Sequence, residues 1–265
     1  MSILNTIIAH KKTELLSRKR TTPIEILREK INGRQPGTNL RSRLKPGMSF
    51  LFICEIKKAS PSRGIIRARF DPVQQAKTYL AAGADAISIL TDEKFFQGSL
   101  DHLRAVRSVT SLPLLHKDFI IDKYQLYESR AAGADMILLI ARVLSARQIA
   151  DFTGLAAELK MEVLLELSEK SDIGKIPTQN QHLILGINNR DLRNFTVNLA
   201  KSFRLMRLLP DTIPVISESG IATPADIANL IEHGFAGALI GEALMSSTAP
   251  ATLLQDFRKA VAYGS

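Results

Sequence analysis

At 265 residues, of which 45% are hydrophobic and 23% charged, the chain is long enough for one (β/α)8 barrel of about 250 residues or for two small domains. A net charge of +9 and a pI near 9.7 favour anionic partners such as phosphorylated metabolites; Lys and Arg lie scattered, without the basic block or interleaved aromatics of a nucleic-acid binder. One cysteine, Cys54, excludes an internal disulfide and a cysteine metal cluster, and with no apolar run near the ~18 residues of a membrane span and no signal-peptide core a cytoplasmic protein without a membrane partner is expected.

Residues 3–20 set Ile3, Leu4, Ile7, Ile8, Leu15 and Leu16 near helical spacing, opposite a basic face. Thr22 and Pro23 open a second helical stretch, with Thr22 as N-cap and Pro23 at the first helical position. Residues 33–48 carry Gly33, Pro36, Gly37, Pro46 and Gly47 and read as loop with one helical turn. The expected organisation is one barrel domain over 1–265, of which 1–48 is a helical extension lying as a lid across the body.

The chain is organised around the next stretch, Phe50 to Gly64, FLFICEIKKASPSRG. Phe50 to Cys54 has the composition of a fully buried strand, and Cys54 within it reads as packing. Glu55 and Lys57 are two residues apart and therefore share a face. Charges are rarely buried unpaired, so this pair is either a salt bridge closing a strand or part of a site.

Thereafter strand candidates alternate with helical stretches. The strands are Phe50–Lys57, Ala86–Thr91, Leu112–Lys117, Met136–Ala141, Glu162–Leu167, Leu183–Asn188, Ile213–Ser217 and Gly237–Ile240. Between them lie Pro72–Ala82, Leu100–Val109, Lys123–Ala132, Ala146–Leu159, Leu199–Leu208, Thr223–Glu232 and, last, Leu253–Ala262. AAGADAISIL at 81–90 and AAGADMILLI at 131–140 are near-copies, each a helix end, a left-handed glycine cap and a strand. Eight such units predict an α/β chain folded as a (β/α)8 TIM barrel, with an open doubly wound sheet as the alternative.

Barrel active sites lie where the strands end. Among the polar residues at those ends, Glu55, Lys57, Lys117, Glu166 and Asn188 interrupt apolar runs and are the candidate chemical groups. Burial and neighbouring charge can bring lysine pKa values toward neutrality for acid–base work, and a strand-end lysine also allows a Schiff base. Ser219-Gly220 and Gly241-Glu242, after the seventh and eighth strands, can offer backbone N–H groups to a phosphate. Asp118 falls on the opposite side of its strand from Lys117 and reads as structural. The five histidines are scattered and no nucleotide-binding motif occurs, so no metal and no cofactor is expected.

These motifs, EIKKASPSRG at 55–64, FDP at 70–72, LTDEKFFQGS at 90–99, KDF at 117–119, INNRDL at 187–192, SESGI at 217–221 and GEALM at 241–245, closely resemble the indole-3-glycerol phosphate synthase family of tryptophan biosynthesis. The match runs in family order over about residues 50–245, and Ile3 to Lys11 resembles the family's N-terminal extension. The resemblance implies a cofactor-free carboxy-lyase that closes an indole ring on 1-(2-carboxyphenylamino)-1-deoxyribulose 5-phosphate, releasing carbon dioxide and water. It implies Lys117 as general acid, Lys57 as contact to the substrate carboxylate and aid to dehydration, and Glu55, Glu166 and Asn188 as groups orienting lysines and substrate. Glu166 is also a candidate acid/base in dehydration. Arg190 would pair with carboxylates or substrate; Phe96, Phe119, Leu138 and Leu192 would wall the anthranilate ring. Ser60, Ser219, Gly220, Gly241 and Glu242 would form the phosphate cradle, with Ile240 a further substrate-binding position.

The expected partner is a small phosphorylated substrate, and the expected state a monomer open to association with other tryptophan-pathway enzymes. Because the chain ends soon after its eighth strand candidate, no fused phosphoribosylanthranilate isomerase is expected. The rival readings are that isomerase, which would need a Cys/Asp acid–base pair, a Schiff-base aldolase, and a basic nucleic-acid-binding protein.

Overall fold

The apolar runs pair into eight parallel strands: β1 (Leu51–Ile56), β2 (Ala86–Leu90), β3 (Leu114–Lys117), β4 (Met136–Ile140), β5 (Glu162–Leu167), β6 (Leu183–Asn188), β7 (Val215–Glu218) and β8 (Gly237–Ile240). Each bonds to the next, and β8 returns to β1 with Leu51 opposite Gly237. The sheet is therefore a closed barrel and not an open one, which removes exposed edges. The computed structural model describes residues 3–33, 39–44, 50–177, 181–191 and 196–263.

Parity along the strands sorts the core into two layers. Leu51, Ile53, Leu115, Leu138, Ile140, Leu164, Ile184, Ile216 and Leu239 point into the barrel and pack on one another. Phe52, Cys54, Ile56, Ile87, Ile89, Leu139, Val163, Leu165 and Leu185 point outward beneath the helices. Each such side chain, once fully buried, contributes about 1.5–3 kcal/mol. The same parity carries Glu55, Lys117, Glu166, Asn188 and Glu218 inward, since each follows an inward residue by two or four positions.

The outer helices are α3 (Pro72–Ala81), α4 (Glu93–Phe96), α5 (Leu100–Arg107), α6 (Lys123–Ala132), α7 (Ala146–Glu158), α8 (Leu199–Met206), α9 (Pro224–Glu232), α10 (Glu242–Ser246) and α11 (Pro250–Tyr263). Their starts are capped as the side chains dictate: Asp71 accepts from the N–H groups of Val73 and Gln74, and Thr223 forms a capping box with Asp226. The repeated AAGAD segments end helices at Gly83 and Gly133, with φ of 92° and 101°. Their aspartates then accept backbone N–H groups of the preceding strand: Asp85 from Phe52 and Asp135 from Leu114, both at 3.0 Å.

Three element starts differ by two residues or more from the sequence reading. The third and seventh strands begin at Leu114 and Val215, just after Pro113 and Pro214, which have no N–H to give a ladder. The last helix begins at Pro250 and not at Leu253, because proline suits a first turn. Short helices α4 and α10 occupy loops that carried no helical periodicity.

Ahead of the barrel lie α1 (Ile3–Thr21) and α2 (Ile24–Ile31). The N-cap of α2 is Pro23, without a side-chain cap, and not Thr22 as expected. Lys11 of α1 is fully buried; its Nζ lies 3.0 Å from Asp92 and 2.9 Å from Asp118, beyond the ends of β2 and β3. At the opposite end Leu40 is fully buried against the inward layer. Glu162 Oε2 and Oε1 accept the N–H groups of Leu40 and Arg41 at 2.6 and 2.8 Å. Burial pushes the Glu162 carboxyl up to about 7 despite those two N–H groups. Among the described residues, no helix is long and apolar enough to cross a membrane.

Candidate active site

Where the strands end, the inward residues change from leucine and isoleucine to lysine, glutamate and asparagine around a cavity of about 510 Å³. The cavity brings together Glu55, Lys57, Ser60, Phe96, Lys117, Phe119, Leu138, Glu166, Asn188, Arg190, Ser219, Gly220, Ile240, Gly241 and Glu242. Every expected site residue is on this list except Leu192, which lies outside the described residues. Two other strand-end polar side chains make their pairings elsewhere, although Asp118 also borders the cavity. Arg142 pairs with Glu169 at 2.7 Å, and Asp118 faces Lys11, Thr91 and His116 on the outer side of β3.

Lys117 sits in the middle. Its Nζ is 3.6 Å from Glu166 Oε2 and 3.6 Å from Glu218 Oε2. Burial by itself would lower the pKa of this lysine, the direction expected from the sequence. The carboxylates of Glu218, Glu166 and Glu55 outweigh burial and hold it above the ordinary lysine range. The expectation of a lysine drawn toward neutrality is thus corrected: Lys117 is a firmly cationic donor. The compensating change falls on Glu218. Burial pushes its carboxyl up to about 8, with Glu166 and Glu55 adding to the rise and Lys117 opposing it.

Lys57 and Glu55 do form the strand-end salt bridge, Nζ to Oε1 at 2.7 Å, and they form it inside the cavity. Burial raises the Glu55 pKa, but Lys57, Lys117 and Arg190 prevail and keep it below the usual carboxylate range. Gly241 makes room for the pair: a Cβ there would collide with Glu55 Oε1 and come within 3.0 Å of Lys57 Nζ. On β6, Asn188 Oδ1 accepts the Arg190 N–H at 2.9 Å. The next residue, Asn189, donates to Ser217 Oγ and to the carbonyls of Glu218 and Ser219, binding the ends of β6 and β7 together.

Opposite the charged groups, the Phe96 and Phe119 rings lie 6.0 Å apart and with Leu138 give the cavity an apolar wall able to hold a flat ring. On the β7–β8 side, Ser219 and Gly220 both have positive φ, 69° and 78°. A side chain at Gly220 would strike Val197, so the backbone itself forms this part of the wall. Glu242 borders the same end, its two oxygens held by Arg63 and Arg190 at 2.6 and 2.9 Å.

Three contributions were not singled out as site residues in the sequence. Glu218 stands between Ser217 and Ser219, past the apolar run, so the criterion that picked out Glu55 passes it over; strand parity, two residues on from Ile216, is the signal that places it inward. Ile3, Leu4 and Ile7 line the cavity from the leader, which strand-end reasoning does not reach. Arg63 lies past the end of β1, on a loop bent back by a two-residue antiparallel ladder between Ala59–Ser60 and Gly64–Ile65.

The family model described as indole-3-glycerol phosphate synthase matches residues 4–257. Curated relatives carrying that name include proteins from Thermoanaerobacter pseudethanolicus, 41% identical over 97% of both chains, and Bacteroides thetaiotaomicron, 42% identical over 98% of both. Another, from Legionella pneumophila strain Paris, is 44% identical over 92% of this chain and 93% of its own. Among solved structures, tryptophan synthase subunit alpha from Legionella pneumophila aligns with a TM-score of 0.63 at 16% identity, over 86% of this chain and all of its own. The 3-hexulose-6-phosphate synthase from Salmonella typhimurium gives 0.66 at 11%, over 82% and 100%. At those identities the two structures speak to the fold alone.

Proposed function

This chain belongs to the indole-3-glycerol phosphate synthase family, and from that premise we propose how its barrel mouth carries out the reaction. The substrate is 1-(2-carboxyphenylamino)-1-deoxyribulose 5-phosphate. The observation that carries the reading is the placement of Lys117 Nζ 3.6 Å from both Glu166 and Glu218, in one cavity with a phenylalanine wall and a glycine-lined end.

The anthranilate ring lies against Phe96, Phe119 and Leu138, and the phosphate takes backbone N–H groups around Gly220 and Gly241, with Ser60 and Ser219 beside it. The ribulose carbonyl then falls between them, next to Lys117. As the ring carbon attacks that carbonyl, Lys117 gives it a proton; the ammonium also stabilises the oxygen as its negative charge develops. Lys57, braced by Glu55, holds the substrate carboxylate until carbon dioxide leaves and conjugation is restored. A second proton then lets hydroxide depart as water, and the ring carbon beside nitrogen gives up a proton to Glu166, which completes the indole. Glu166 and Glu218 flank that step, each 3.6 Å from Lys117, and Glu218, whose carboxyl is pushed up by burial, can return a proton to Lys117. Asn188 and Arg190 orient the substrate from β6, and the leader serves as the lid through Ile3, Leu4 and Ile7.

A Schiff-base mechanism is disfavoured by the raised pKa of Lys117, which leaves little free amine. The isomerase reading lacks support too: Cys54 is fully buried on the outer face of β1. The test is direct. Purified protein incubated with the carboxyphenylamino deoxyribulose phosphate should generate indole fluorescence, and Lys117→Ala should slow its appearance by orders of magnitude. Borohydride trapping of substrate on Lys117 would instead support the aldolase.

A further inference from the structure

Glu242 presents a difficulty for any anion at this mouth. It directly follows Gly241, so its carboxylate stands beside the end of the cavity where a phosphate would sit, and like charges repel. Its two oxygens are divided between two arginines. Arg63 holds Oε1 through Nε at 2.8 Å and through Nη2 at 2.6 Å, whereas Arg190 holds Oε2 at 2.9 Å. The two arginines differ in burial: the Arg63 side chain is 64% exposed and that of Arg190 only 20%.

We propose that Glu242 is an internal stand-in anion for Arg63, and that Arg63 swings from Glu242 to the substrate's phosphate when the site fills. The inference rests on the phosphate being bound at this end of the cavity. Three features favour the exchange. An exposed ion pair contributes little to stability, so its loss is easily offset. A phosphate accepts a guanidinium fork at least as well as a carboxylate does, and carries more charge. Glu242 is not stranded by the exchange, because Arg190 still holds its second oxygen. Arg63 also sits four residues from Gly64–Ile65's partner Ala59 on the bent-back loop, so its movement would draw Ser60 and Pro61 over the phosphate. The alternative is a fixed tether in which Glu242 holds Arg63 in place and helps the anion only through it.

The two arrangements predict opposite signs. Inorganic phosphate is titrated as a competitive inhibitor of fluorescence-monitored turnover by the wild type, Glu242→Gln, Arg63→Met and the double variant. Exchange predicts a Ki lowered about two- to fivefold in Glu242→Gln, the range expected for removing one exposed competing pair, and raised roughly tenfold in Arg63→Met. In the Arg63→Met background, Glu242→Gln should bring no further gain. A Ki that rises in Glu242→Gln would establish the fixed tether and overturn the exchange. An equal gain with and without Arg63 would reduce Glu242 to general repulsion and overturn it as well. Normal turnover without phosphate inhibition in the wild type would remove the exchange and leave the reaction standing. If turnover itself is absent, phosphate-dependent thermal stabilisation of the same four proteins gives the same comparison, separating failure of the exchange from failure of the catalytic reading.

Discussion

Gly186 lacks a side chain at the one point where the Glu218 carboxylate passes: a Cβ on Gly186 would collide with Glu218 Oε1. Gly186 is the registered neighbour of Glu166 on β5 and of Ile216 on β7. A glycine in the middle of a buried strand weakens it, so this one reflects a demand from the site. It lets two glutamates from strands on either side of β6 converge on one ammonium. Gly186→Ala should therefore leave the barrel folded while displacing Glu218 from Lys117. A displacement of about 1 Å in such a cluster can lower turnover about a hundredfold. Steady-state kinetics with circular dichroism would check this; unchanged kcat in a folded Gly186→Ala protein would dismiss the convergence as incidental.

Lys117→Ala should lower kcat by about 10²–10⁴-fold, the span of a lost general acid. The barrel should remain folded, because Lys117 takes no part in the inward apolar layer. Turnover within a factor of a few of wild type would remove Lys117 from the proton-donating role.

The Glu218 carboxyl, raised by burial and by Glu166 and Glu55, gives a signed pH effect. A group whose folded pKa exceeds its unfolded value contributes stability that is complete below the unfolded pKa, near 4.3 for Glu, and lost as pH rises through the folded one, here about 8. Glu162, pushed up to about 7, acts in the same direction. The melting temperature of the wild type should thus fall between about pH 6 and pH 9. In Glu218→Gln the fall should be smaller, with the remainder due to Glu162. Superimposable melting-temperature profiles for the two proteins would mean that Glu218 does not titrate in this window.

Lys11 is the cation on which two buried carboxylates, Asp92 and Asp118, depend; the loss of Lys11 would leave Asp118, held below the usual carboxylate range in part by that lysine, without it. Removing one member of a buried ion pair typically destabilises by about 3–5 kcal/mol. Lys11→Met should lower unfolding free energy by an amount of that order and loosen α1 from the mouth. Limited proteolysis would register the loosening as cleavage within the leader before cleavage of the barrel. A variant as resistant as wild type would show that apolar packing alone seats α1.

Gly220→Ala should act on binding more than on chemistry. The residue has a φ of 78°, and its added Cβ would meet Val197. The expected result is a KM raised at least about tenfold, with kcat changed less, as when binding shared by ground and transition states is removed. An unchanged KM would count against a phosphate at this turn.

Local pattern was enough to read the eight strand–helix units, the glycine ends of the AAGAD repeats and the inward direction of Glu55, Lys117, Glu166 and Asn188. Strand parity depends only on neighbouring residues, and a charge breaking an apolar run is visible without any partner. Tertiary structure alone decided the balance of charge at the mouth. Lys117 is cationic because Glu166 and Glu218 arrive from strands distant in the chain, and that proximity outweighs the burial which, taken alone, would have lowered its pKa. It alone decided, too, that Lys11 would be sealed between two aspartates and that Glu242 would face Arg63. Those pairings are set by barrel closure and loop path, which bring together residues about eighty to a hundred and eighty positions apart, and Coulomb interactions depend on distance in space.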